Sequence, residues 1–506
     1  MILSKNNLKN IHSAEVIVPD EAIFDLPEKV LQFGTGVLLR GLPDYFIDKA
    51  NRQGVFNGRV VVVKSTSAGS PSEFDDQDGL YTLCVKGIEN GQKLEENIVC
   101  SAISRVLSAT KSWKEILECA HNPEMKIVVS NTTEVGIQLV EEDVKLNPPA
   151  SFPGKLLAFL VERYQAFNGS EESGMVIVPT ELIVGNGEKL KAIVLELAGF
   201  NKLAAAFINW LEKSNSFCNS LVDRIVPGKP DAETVAEFQE KAGYEDGLLT
   251  VSEVYRLWAI QGDEKVKAVL SFAEADKGVI IAPDIEIYRE LKLRMLNGTH
   301  TLSCGLAFLA GFTTVKEAMD NEMLSGFVSR LMKKEIAPAI PYEVSKQQTD
   351  EFAAQVLDRF RNPHIKHNWI GITVQFSAKL KMRVVPVLLN HYQKSDKIPY
   401  YIALGFAAYL AFMRVQKEEG GKYYGELNGK GYPVTDNLAH FFYGLKNSIP
   451  ADMWINTVLN NTDIWGTDLT LLPGFENAVE ENYTAINEQG VLKTIGQLAA
   501  KNMFEK

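Results

Sequence analysis

A chain of 506 residues is too long for one ordinary core and predicts two large domains or three small ones. Hydrophobic residues make up 46% of it, so burial is not limiting, while a net charge of −12 without any Lys/Arg block argues against a nucleic-acid partner. The N-terminus MILSKNNLKNIHSAEVIVPD has no apolar signal core and no later run reaches 18 uninterrupted apolar residues, which predicts a soluble, cytoplasmic protein with no membrane partner.

Residues 29–33, KVLQF, lead into Gly34-Thr35-Gly36 and then VLLRGLPDYFIDKA, whose apolar positions recur at helical spacing. The order is strand, glycine turn, helix. Such a turn lets backbone N–H groups and a positive helix end meet a pyrophosphate, so Phe33, Gly34, Thr35, Gly36 and Val37 are candidate cofactor residues. Leu39 replaces the third glycine of G-x-G-x-x-G, with Arg40 and Gly41 following, and a lone GxG is more often a plain turn. Its place near the N-terminus, opening an alternating β/α series, favours the cofactor reading. The β-branched run at 60–63 predicts a strand buried on both faces of a parallel sheet. It ends in Lys64-Ser65-Thr66-Ser67, without the acid that holds ribose hydroxyls. Lys64 could therefore welcome a 2′-phosphate, leaving NAD and NADP both open. The next strand, KIVVS at 126–130, is followed by Asn131, Thr132, Thr133 and Glu134. These residues are placed either to line the cofactor crevice or to cap a helix. Met175 to Pro179 reads as a further strand, with Asn186-Gly187 opening a helix. Asp223-Arg224, inside the apolar run 221–227, reads either as a local ion pair or as part of a site.

From about Pro283 the patterns turn helical, at 286–310, 314–334, 342–361, 398–417 and 474–500, and the polar stretch 416–433 reads as an exposed excursion. The predicted class is an α/β, Rossmann-like dinucleotide-binding domain over 1–283 followed by a mostly α-helical substrate and catalytic domain over 284–506. Inside the helical part, YRELKLRMLNGTHT at 288–301 sets Lys292, Asn297 and His300 in order. In an α-helix Asn297 lies about 140° and His300 about 80° from Lys292, and Lys292 and His300 are about 12 Å apart along the axis. The three can then face one cleft, with Leu291, Met295 and Leu296 burying the flanks. Taken alone, the stretch also fits an ordinary amphipathic helix. The five cysteines are scattered without a CxxC pair and read as buried thiols, with no structural zinc. His300, His364 and His367 offer no carboxylate at the helical spacing of a catalytic zinc site, so no metal is expected.

Taken together, FGTG at 33–36, TTE at 132–134, VDRI at 222–225, K-x-x-x-x-N-x-x-H at 292–300 and RNP at 361–363 resemble the polyol-specific long-chain dehydrogenases, the mannitol dehydrogenase family. The likeness runs over nearly the whole chain. It implies metal-free hydride transfer between NAD and a ketone or secondary alcohol, with Lys292 as acid and base, Asn297 polarising the carbonyl and His300 orienting substrate hydroxyls. QDGLYT, AHNPEM, SNTTE, NSFC, LVDRIV and RFRNPHIKH resemble those members that act on a hexuronate, reducing tagaturonate to altronate. The epimeric fructuronate-to-mannonate reaction is the runner-up, and another polyol or sugar-acid dehydrogenase is third. A silent sugar-acid sensor is the non-enzyme alternative, against which the intact Lys292, Asn297 and His300 stand. The implied partner is a small hexuronate, whose carboxylate needs a cation: Lys379 first, then Arg361 and His364, with Asp223 also expected in the substrate site. Two positions depart from the mannitol enzymes, Leu182 in place of an asparagine and Gly371 in place of an arginine. Oligomeric state is left open, and a monomer is compatible.

Overall fold

The computed structural model describes residues 1–65, 72–132 and 136–501. It divides into two compact units, the first made of Met1–Gly87 and Lys93–Ile285, the second of Glu286–Lys506 together with the turn Ile88–Gln92.

The first unit is organised on six strands: β1 Glu28–Phe33, β2 Arg59–Lys64, β3 Ile103–Ser108, β4 Ile127–Ser130, β5 Val176–Pro179 and β6 Ser216–Phe217. Every neighbouring pair runs parallel, in the order β3-β2-β1-β4-β5-β6. That is the doubly wound order, in which strands are added first on one side of β1 and then on the other. The sheet is covered on both faces, which is why its inner strands β2, β4 and β5 are buried along their whole length. Val30, Val60 and Val62 enter one core with Phe46 and Trp258. Leu31, Phe33, Val61 and Val63 enter the other, with Phe152 and Leu156 of α3 (Phe152–Ala166) and Leu190 of α4 (Asn186–Phe200).

The helix expected after the glycine turn is broken in two, α1 Val37–Gly41 and α2 Pro43–Arg52. Leu42 sits between them at φ −135° and ψ −78° because the ring of Pro43 disfavours an α conformation in the residue before it. Two smaller sheets, in strands too short or too mixed to stand out in sequence, complete the unit. One contains Val16–Ile17, Tyr81–Glu89, Gln92–Cys100 and Thr250–Glu253; the other contains Ser220–Asp223, Leu257–Gln261 and Val279–Ala282.

The second unit is mainly helical. Its longest uninterrupted stretch starts at Glu286 and becomes a π-helix over Leu291–Gly298 before continuing as α5, Thr299–Leu309. Alongside α5 runs α8, Tyr400–Phe412, nearly all of it buried. The two approach closely at glycines: a Cβ on Gly405 would lie 2.6 Å from Leu302 Cδ2, and one on Gly305 would lie 3.1 Å from the Ala408 carbonyl oxygen. The polar excursion at 416–433 is a three-stranded antiparallel sheet, Lys417–Glu419, Lys422–Leu427 and Lys430–Pro433. Its two turns, Gly420-Gly421 and Asn428-Gly429, have positive φ at both positions, as two-residue hairpins of the right-handed strand twist require. All five cysteines are buried and free. No helix among the described residues is long and apolar enough to cross a membrane.

Candidate active site

In the first unit, the reversal of strand order falls between β1 and β4, so the crevice of a doubly wound sheet opens at their carboxyl ends. Phe33 and Ser130 are opposite each other there, and Asn131 N–H donates to the Phe33 carbonyl at 3.1 Å. Gly34, at φ +126°, turns the chain out of β1 while its N–H donates to Val63 O of β2 at 3.0 Å. A Cβ on it would meet Asn131 O and Leu39 Cδ1, each at 2.9 Å. Gly36 differs: its φ is an ordinary −64°, it caps α1, and a Cβ there would meet nothing within 4 Å. Packing does not demand this glycine, whereas close approach of a dinucleotide to the backbone would. The packing glycine is Gly41, where a Cβ would lie 2.8 Å from Val226 Cγ2, and the third position of the short motif holds the buried Leu39.

Lys64 is buried at the carboxyl end of β2, level with Ser108 of β3. Thr66, Ser67, Thr133 and Glu134 lie outside the described residues. Asn131 and Thr132 cap no helix, since the next among the described residues is α3. Their side chains bind β5 instead. Asn131 Nδ2 donates to Thr180 Oγ1 at 3.0 Å, and Thr132 donates to Glu181 Oε1 through N–H at 2.8 Å and hydroxyl at 2.9 Å. Glu181, buried and overlooked in the sequence, also accepts from Ser130 Oγ at 3.1 Å, and so clamps the ends of β4 and β5. Asp223 is buried at the end of its strand in this unit, opposite Leu257. The adjoining Arg224 donates to the Gly41 carbonyl at 2.6 Å and the Glu253 carbonyl at 2.9 Å over the Tyr45 ring, bracing the α1–α2 break.

In the second unit, Lys292 and Asn297 lie on the π turn and His300 in the first turn of α5. The α-helical angle of about 140° between Lys292 and Asn297 therefore does not apply. A π turn closes at i→i+5, the separation of these two residues, and brings the amide round toward the lysine's face. Leu291, Met295 and Leu296 are buried as the flanks. Arg294, ion-paired with Glu290 at 2.9 Å, donates through Nη1 to the carbonyls of Met382 at 2.5 Å and Arg383 at 3.2 Å. This pins the π turn to the end of α7, Phe376–Arg383.

His300 stacks on Phe360, the last residue of α6 (Lys346–Phe360), with centroids 4.0 Å apart and planes 5° apart. His367 and Trp369 meet it edge-on at 5.1 and 6.0 Å. Its Nε2 is sealed from solvent and has no hydrogen-bond partner among the described residues. Burial first, and then the charges of His367, Arg359, Arg383 and Lys379, hold its pKa well below the usual histidine range, so the ring is neutral at physiological pH. Burial likewise lowers His367, Lys379 and Arg383. Lys379 Nζ donates to the Ile372 carbonyl at 2.9 Å, with Asp436 in its field.

The structure thus brings Lys379 to bear on His300. Arg361 and His364 are exposed. Arg359 and Arg383 also act on the His300 ring. Arg383 was legible in one respect, since it follows Lys379 at i+4 on one helix face. Gly371 is exposed with open space beside it, so the guanidinium of this region comes from the other side of Lys379 in sequence. Among the described residues no cluster of three metal-ligating side chains forms.

Comparison with known proteins matches the mannitol dehydrogenase Rossmann domain over residues 28–272 and the mannitol dehydrogenase C-terminal domain over residues 284–487. An altronate oxidoreductase of Halalkalibacterium halodurans is 37% identical over 495 residues, covering 95% of this chain and 96% of that protein. One of Cronobacter sakazakii is 37% identical over 482 residues, covering 93% and 97%. Among solved structures, a Pseudomonas fluorescens mannitol 2-dehydrogenase in ternary complex with NAD and D-mannitol is similar with a TM-score of 0.66 at 23% identity, covering 99% of this chain and all of that one. A D-sorbitol dehydrogenase in substrate-free form gives 0.75 at 21% identity, covering 98% and 100%. With both family models matched in order along the sequence, and relatives more than a third identical over nearly all of it, the chain belongs to the mannitol dehydrogenase family.

Proposed function

We propose that the protein catalyses the reversible, NAD-dependent reduction of D-tagaturonate to D-altronate without a metal. The observation that carries the substrate class is the set of cations around His300. Arg359, Lys379 and Arg383 all bear on one neutral imidazole, in a protein whose net charge is −12. Such a surplus of positive charge suits a sugar acid better than an uncharged polyol. The likeness to altronate oxidoreductases points to the same substrate.

The glycine turn Phe33–Val37 and the ends of β2 and β4, at Lys64, Asn131 and Thr132, would hold the dinucleotide, the open space at Gly36 giving its phosphates access to the backbone. Bound there, the nicotinamide supplies or accepts the hydride. Asn297 donates its amide N–H to the ketone oxygen and stabilises the charge that develops on it, as an oxyanion-hole donor does. Lys292 gives the proton to that oxygen during reduction and removes it from the alcohol during oxidation. Neutral His300 presents its unpartnered Nε2 to a substrate hydroxyl. The test is consumption of NADH and NADPH against tagaturonate, fructuronate and fructose side by side. Tagaturonate with NADH is the expected best pair. A preference for fructuronate moves the assignment to the sister reaction, and turnover of none of the three leaves a sugar-acid sensor.

A further inference from the structure

We infer that Arg383, rather than Lys379, is the side chain that grips the substrate's carboxylate, an inference that rests on the hexuronate reading above. Arg383 ends α7, one turn beyond Lys379. Its Nη1 donates to Thr301 Oγ1 at 3.1 Å, and that hydroxyl donates to the Asn297 carbonyl at 2.8 Å. Its Nε is buried without an acceptor among the described residues. One corner of the guanidinium is therefore anchored, while the edge carrying Nε and Nη2 is left for a ligand. Two parallel N–H donors on that edge match the two oxygens of a carboxylate, which an ammonium cannot do. A buried donor that lacks an acceptor is costly, so it is expected to acquire one when the substrate arrives.

The anchoring also sets a distance. Asn297 and Thr301 are one helical turn apart, about 5–6 Å along the axis. In tagaturonate four carbon–carbon bonds separate the ketone carbon from the carboxylate carbon, a span of similar size. A substrate whose carbonyl accepts from Asn297 can thus place its carboxylate near the guanidinium held by Thr301. The grip of Arg294 on the carbonyls of Met382 and Arg383 fixes the backbone of that same residue to the π turn. Lys379 is a poorer candidate because its ammonium, which donates to Ile372 O, has donors left over but no planar fork to match both carboxylate oxygens. It is left to orient hydroxyls.

The test titrates altronate, and separately the uncharged altritol, into protein saturated with NADH, where no hydride can be transferred. Wild type, Arg383→Gln, Arg383→Lys and Lys379→Met are compared by calorimetry. Arg383→Gln is expected to weaken altronate by roughly 30- to 3,000-fold while altritol changes by less than about threefold. Arg383→Lys, keeping charge but not the fork, should fall between, and Lys379→Met should cost altronate less than Arg383→Gln does. Equal weakening of both ligands by Arg383→Gln, or no weakening of altronate, overturns the assignment, as does a wild type that does not bind altronate. A wild type that binds altronate in this Arg383-dependent way but fails to reduce tagaturonate keeps the carboxylate site and rejects the catalytic reading alone.

Discussion

Alanine at Gly34 and alanine at Gly36 should have opposite consequences, although only one residue separates the two sites. At Gly34 the backbone sits at φ +126°, a conformation that L side chains rarely adopt, and the new methyl would press on Asn131 O and Leu39 Cδ1 at 2.9 Å. The strained backbone alone costs about 1–3 kcal/mol, and the contact with a fixed carbonyl raises the total to about 2–4 kcal/mol. For a unit of this size that lowers the melting temperature by roughly 3–7 °C. At Gly36 the φ of −64° suits alanine and nothing lies within 4 Å. Restricting the unfolded chain contributes about 0.4–1 kcal/mol in favour of alanine, and a poorer helix cap removes a similar amount, so the melting temperature should move by less than about 2 °C. The added methyl occupies the space through which phosphate reaches the backbone, and a loss of about 1.4 kcal/mol reads as a tenfold rise in Kd for NADH. Thermal melts of the cofactor-free protein and NADH fluorescence titrations measure the two effects separately. If Gly36→Ala bound NADH like wild type, the turn would not be the phosphate cradle. If Gly34→Ala melted like wild type, the steric reasoning about β1's exit would be wrong.

Lys292→Ala should lower kcat by roughly 10²–10⁴-fold while NADH Kd stays within about threefold, because the amine touches the transferred proton and not the dinucleotide. Stopped-flow rates near wild type would remove it from the proton path. Burial raises the Asp44 carboxyl to about 7, with a Gln32 hydrogen bond opposing it at 3.3 Å. The folded state thus holds this proton more tightly than the unfolded one, and the resulting stability is present below about pH 4 and lost as pH rises to 7, by about 4 kcal/mol in all. Asp44→Asn cannot ionise, so its melting temperature should gain on wild type between pH 5 and 8, and a difference independent of pH would contradict the buried-acid reading. The His300 ring should stay neutral by NMR through the pH range in which an ordinary histidine protonates, and a midpoint in the ordinary histidine range would show that the ring is more solvated than its packing against Phe360 implies.

The sequence by itself determined the local grammar of this protein. Four apolar runs marked β1, β2, β4 and β5, since a strand covered on both faces has no polar positions to disguise it. The glycine turn was legible because only glycine suits the φ at position 34, and Lys292, Asn297 and His300 were legible as an ordered set of chemical groups. The sheet at 416–433 carried the Gly-Gly and Asn-Gly turns of a meander, but strands such as Lys417–Glu419 lack the apolar alternation that would have raised the signal. Tertiary structure decided the rest. Side-chain spacing cannot tell an i→i+4 from an i→i+5 hydrogen-bond register, so the π turn that carries Lys292 and Asn297 emerged only with the structure. The partners of His300 are equally silent in sequence: Phe360 is 60 residues away, and the Thr301–Arg383 bond joins residues 82 apart. A cation's sequence position does not reveal which neighbours its charge acts on, which is why Arg361 and His364 stood out in the sequence while Arg359 and Arg383 are the guanidinium groups that act on His300.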